Sequence, residues 1–85
     1  MKVKEFKRTM DDRKEKRATL IRRIGVNIRK WRETNDVSQT DLSFAASLKS
    51  GQLSRIEMGL SPSLSVALLS EIAEAMDVRI DELTR

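Results

Sequence analysis

Apolar residues recur with a helical period along nearly the whole of this 85-residue chain. Ile24, Ile28 and Trp31 stand four and three apart on one face of a helix, with arginines and Lys30 on the other. Asn35 and Asp36 follow, and both tolerate the left-handed conformation that closes a helix. Upstream the pattern fades. Thr9 and Asp12 have the spacing of a capping box, which would start the helix near residue 10. The stretch DDRKEKR has no apolar face, so a solvated helical extension and a mobile arm both fit it.

A second helix opens at SQTD, where the Ser38 hydroxyl can cap free amides and Asp41 can return the bond; Leu42, Ala45 and Ala46 face inward. A third begins near Ser50, which can cap it. At 100° per residue, Leu53 and Ile56 point into the core, whereas Gly51, Ser54, Arg55 and Met58 point away. Glu57 falls at the edge of the buried side, a position that asks for a cationic partner. Gly59 stops this helix, and LSPS forms a loop. A fourth helix runs from Val66 to Met76; Val66, Leu68, Leu69, Ile72, Ala73 and Met76 make its apolar face wider than one core contact requires. Asp77 ends it, and RIDEL forms a short fifth helix returning Ile80 and Leu83 to the core. With one proline, three glycines and no long alternating run, the chain reads as all-α, a compact five-helix bundle.

Charge divides this bundle from its leader. Residues 1–20 hold eight basic side chains against four acidic, whereas residues 21–85 hold nine of each, so the net charge of +4 belongs to the leader. We therefore separate a basic leader, 1–20, from a domain at 21–85. The excess favours a polyanionic partner. Absence of cysteine excludes disulfides and thiolate metal sites, and no apolar run is long enough for a membrane span. Met1 is followed by charged residues without a signal-peptide core, and a cytoplasmic location is expected. Histidine, cysteine and tyrosine are all absent and the carboxylates are scattered, so no catalytic residue, metal site or cofactor is assigned.

Two short helices joined by a tight turn, the second with small and basic residues on its free face, match the geometry that places a recognition helix in the major groove. Residues 24–59, IGVNIRKWRETNDVSQTDLSFAASLKSGQLSRIEMG, resemble the phage-repressor (Cro/C1, XRE) helix-turn-helix family without a gap. The signposts are Ile24 and Gly25, Ile28, Arg32, Ser38 and Gln39, Leu42, the run LSRIE from Leu53 to Glu57, and Gly59. The likeness continues through IAEAMDVRIDEL. It implies a lambda-repressor-like, DNA-binding fold and a role in transcriptional control.

Carried onto this chain, the resemblance makes Gln39 a phosphate contact that braces the recognition helix. Lys49, Ser50, Gly51 and Arg55 occupy positions that touch bases or nearby phosphates. Arg55 is the strongest candidate for direct readout, since its planar fork matches guanine O6 and N7. Gln52 is placed to reach a base or phosphate, and Ser54 to back a phosphate or face solvent. Arg32 and Glu57 are expected to form an ion pair that orients the recognition helix, about residues 50–58, more than it stabilises the fold.

Four departures accompany the likeness. Ser47 stands where relatives carry a turn glycine, which implies backbone strain or a different turn. Gly51 has no side chain, so base readout there is lost, replaced by close backbone approach, or moved to Gln52. The 60–64 loop is one residue longer than the common pattern. Phe44, opposite Leu42, suggests a partner surface or packing against the leader.

The function expected is that of a dimeric regulator on a palindromic operator, with half-sites roughly 34 Å apart. Leu68, Ile72 and Ile80 are the expected homodimer contacts, with ordinary core packing as the alternative, and Lys14, Lys16 and Arg17 are expected to contact phosphates or reach an adjacent minor groove. No effector domain is expected beyond residue 85, an economy that would fit a restriction-modification controller or phage-type repressor. The alternative is a protein-interaction module, such as the antitoxin half of a toxin–antitoxin pair, engaging its partner through Phe44 or the leader.

Overall fold

Lys, Arg and Glu, the main residues of the DDRKEKR stretch, are good helix formers, and once a helix is nucleated each further residue adds a hydrogen bond at little cost. The leader accordingly continues the first helix. The computed structural model describes residues 3–61 and 64–85, with side chains from residue 9 onward. Helix α1 runs unbroken over Val3–Thr34. Thr9 therefore lies inside the helix and does not cap it. A helix of this length accounts for the long dimension of a molecule that measures 50 × 23 × 20 Å.

Helices α2 (Gln39–Ala45), α3 (Gln52–Glu57), α4 (Val66–Met76) and α5 (Ile80–Leu83) follow, and the described residues include no strand. The C-terminal half of α1 packs on α3 and α5, α2 packs on α3 and α4, and α4 on α5. Ile24 and Ile28 of α1 meet Leu42, Ala46, Leu53, Ile56, Leu69, Ile72, Ala73, Met76 and Leu83 in one core. Asn27 ties α5 to α1, its Nδ2 donating to the carbonyls of Leu83 (2.8 Å) and Arg85 (3.1 Å).

Several expectations change. Ala45 is exposed, and only Leu42 and Ala46 carry α2 into the core. The Ser38 hydroxyl accepts from the Asp41 N–H at 3.0 Å, but no bond returns from the Asp41 carboxylate. Ser50 does not cap α3; Gly51 does, with a left-handed φ of 78° and no side-chain bond. Ile72 is wholly buried among its neighbours and has no surface to offer a second subunit. The 60–64 loop includes residues 62 and 63, which lie outside the described residues.

Two glycines are set by packing. A Cβ on Gly25 would collide with the backbone carbonyl oxygens of Ile56 and Glu57, so α1 and α3 approach closely only because it is absent. At Gly59, with φ 71°, a Cβ would sit 2.8 Å from Arg22 Cγ. Ser47 adopts φ 56° without a glycine's freedom, the strain its position predicts.

Candidate nucleic-acid interface

Close contact at Gly25 brings the end of α3 against α1, and there Glu57 meets its partner. Arg32 Nε donates to Glu57 Oε2 at 2.9 Å and Arg32 Nη2 to Oε1 at 3.0 Å, a parallel fork. Gln39 Nε2 donates to the same Oε1 at 3.0 Å. The third guanidinium nitrogen, Nη1, donates to the Val37 carbonyl at 3.1 Å, so Arg32 also holds the turn leading into α2. Glu57 is thus joined to both preceding helices, and its side chain is only 3% exposed.

Burial alone would raise the Glu57 carboxyl. The hydrogen bonds from Arg32 and Gln39, with the charges of Arg32 and Arg29, outweigh it and hold the group below its ordinary value. The bond to Glu57 in turn raises Arg32 against the opposing effect of burial. Both groups stay charged at neutral pH.

With α3 held this way, Leu53 and Ile56 face inward while Lys49, Ser50, Gly51 and Arg55 remain exposed. Arg55 makes no side-chain hydrogen bond or ion pair among the described residues, so its fork is available to a ligand. Ser54 is half-buried beside them. Gln52 folds back: its Oε1 accepts from the Lys49 N–H at 3.0 Å, which closes the turn and occupies the acceptor that base readout would use.

Between α2 and α3 lies a recess of about 340 Å³. Gln39, Ser50, Gly51 and Ser54 line it, and so does Phe44. Phe44 is 88% exposed and does not pack against the leader. Thr40 and Ser43 also line the recess; neither was singled out from the sequence, although each stands one helical turn from a residue that was, Phe44 and Gln39 respectively.

The leader's cations separate. Lys14 and Arg17 join Arg22, Gly59 and Ser61 around a recess of about 240 Å³ that no acidic residue lines. Lys16 lies on another face, beside Asp12 and Glu15. Arg22 and its pairing with the loop after α3 were not anticipated; the i, i+3, i+8 spacing of Lys14, Arg17 and Arg22 on one helix face was the available signal. Among the described residues no group of acidic side chains could hold a metal ion, and no helix is long and apolar enough to cross a membrane.

Two short helices, joined by a tight turn and fixed by a buried carboxylate of the second that an arginine of α1 grips, make a helix-turn-helix unit. The helix-turn-helix family model HTH_3 matches residues 28–83. The chain belongs to this family, of Cro/C1 (XRE) type, whose members are DNA-binding regulators of transcription and not enzymes. Among solved structures it resembles the restriction-modification controller protein C.AhdI from Aeromonas hydrophila, with a TM-score of 0.69 and 25% identity, covering 74% of this chain and 94% of that one. Among curated proteins none matches.

Proposed function

We propose that this regulator reads double-stranded DNA sequence-specifically, as a dimer on a palindromic operator, with α3 and the turn before it in the major groove. The observation that carries the reading is the Arg32, Glu57 and Gln39 network. It fixes α3 against α1 and α2 and leaves the unpaired fork of Arg55 outward beside Lys49, Ser50 and Gly51. A fixed helix presents its side chains to base edges with no backbone left to order on binding, so that only side-chain freedom is lost.

In this reading Arg55 supplies direct readout, bidentate to a guanine. Lys49 and the Ser50 hydroxyl take phosphate or base-edge contacts, and Ser54 backs them. Gln39 remains at the rim for a phosphate through whatever hydrogen-bonding capacity Glu57 leaves it. Gln52 shapes the turn instead of reading a base. Lys14 and Arg17, with Arg22, add phosphate contacts from α1, whereas Lys16 is compensated by nearby carboxylates. Leu68 on α4 and Ile80 on α5 are half-exposed on helices that pack together, and we assign them to the dimer contact without Ile72.

Selection of duplexes from a random pool at about 0.15 M salt, with Arg55→Ala alongside, tests the reading. A palindromic site is expected, degraded by the substitution at one defined base pair in each half. Equal, salt-sensitive binding to every duplex would refute sequence reading by α3 and turn attention to the protein-interaction alternative.

A further inference from the structure

Phe44 is the most exposed of the large apolar side chains described. An aromatic ring left in water forgoes a burial free energy that a ligand could recover. Its surroundings narrow what that ligand is. Phe44 and Leu48 form an apolar wall, and Gln39, Ser43, Ser50 and Ser54 supply an amide and hydroxyl rim. Gly51 forms the open side: a Cβ built there would meet nothing within 4 Å. Gln52, tied to the Lys49 N–H, does not extend across the gap.

No lysine, arginine or carboxylate lines the recess, unlike the cationic one beside Arg17. Without a cation the recess offers a phosphate only the neutral contacts of its rim, where Gln39 and Ser50 can position a backbone, and its apolar wall is left for another group. A protein interface is a poor match, since one ring and one half-buried leucine within a polar rim are far from the several hundred Å² of contiguous apolar surface that marks one. The recess instead joins a small apolar wall to hydrogen-bonding groups shared with the outer face of α3. In the major groove, the apolar group presented at an unmodified base edge is the thymine 5-methyl.

We infer that the Phe44 and Gly51 recess receives the 5-methyl of a thymine at the edge of the base pairs read by α3, making Phe44 a specificity-determining residue. This rests on the proposed entry of α3 into the major groove. The missing side chain at Gly51 then lets the base edge come close to the helix, and readout passes to the ring on the neighbouring helix.

The test uses the intact protein and the duplexes it enriches from the random pool, remade with deoxyuridine for each thymidine in turn. That replacement deletes one methyl and keeps every hydrogen-bonding group. At one position in each half-site it is expected to weaken wild-type binding about fourfold, the effect of losing one buried methyl-sized group. In Phe44→Ala the same replacement should have no effect, and in Phe44→Leu an intermediate one. Phe44 is exposed, so these variants should keep the wild-type thermal midpoint. Identical uridine penalties in wild type and Phe44→Ala, or the absence of any penalty, would overturn the inference while leaving DNA reading by α3 in place. Failure to enrich any duplex would overturn both.

Discussion

Arg32 grips Glu57 through two parallel hydrogen bonds of 2.9 and 3.0 Å across the interface between the first and third helices. The carboxylate is almost wholly buried, whereas the guanidinium side chain retains 15% of its exposure. Breaking such a pair from one side leaves a partly buried charge uncompensated, at a cost of roughly 3 to 5 kcal/mol. Glu57→Ala should therefore lower stability by about 3 kcal/mol in urea unfolding. Glu57→Gln keeps the shape and some hydrogen bonds, so it should cost less while still loosening α3. A Glu57→Gln protein with unchanged thermal midpoint and unchanged affinity for its selected duplex would refute an orienting role for the pair.

The same pair predicts an acid limb. The folded Glu57 carboxyl is held below its ordinary value, so as pH falls the unfolded chain takes up this proton first. The contribution is fully present above about pH 4.3 and is lost as pH falls through the folded value. Unfolding midpoints in urea between pH 5 and 3 should consequently drop more steeply for wild type than for Glu57→Gln. Parallel curves would show that Glu57 does not set the limb.

Backbone constraints give a pair of opposite expectations. Gly25→Ala should destabilise by about 1 to 3 kcal/mol, because its methyl meets backbone oxygens that cannot rotate away. Ser47→Gly should stabilise by up to about 1 kcal/mol by relieving a left-handed backbone, offset in part by the entropy of the unfolded glycine. Equilibrium urea denaturation measures both. Ser47→Gly less stable than wild type would mean that the serine side chain contributes more than the strain removes.

Lys14 and Arg17 should act on DNA through charge alone. Replacing either by Gln is expected to reduce the slope of log K against log salt by about 0.9, with no change in the sequence selected. Lys16→Gln should leave the slope nearer wild type, since Asp12 and Glu15 flank it. Binding titrations at several salt concentrations distinguish them. Equal effects from all three would indicate a diffuse basic leader.

Legibility followed the range of each interaction. The bounds of α4 could be read, with Asp77 closing the helix at φ 55°, because apolar period and terminating residues are local properties; its cap, the Ser65 hydroxyl accepting from the Leu68 N–H, was not singled out. The start of α3 was misplaced for a related reason. Ser50 has the chemistry of a cap, but the Gly51 backbone and the Gln52 return to Lys49 satisfy the turn without it. Leu68 and Ile72 share one apolar face in the sequence, and only packing from several helices at once divides them into half-exposed and buried.

By itself the sequence determined the helical composition, most of the inward set, with Ala45 and Val66 the exceptions, the charge of the leader and the resemblance that identifies the family. These depend on periodicity and on residue types at fixed spacing. It also marked Glu57 as a carboxylate in need of a cation, with the resemblance supplying Arg32. Tertiary structure alone decided that Gln39 binds the same oxygen as Arg32, that Lys14 and Arg17 meet the loop after α3 while Lys16 does not, and that Phe44 joins Gly51 at one recess. Each of these joins residues of different elements, and their distances and directions follow from how the helices cross, which no local pattern encodes.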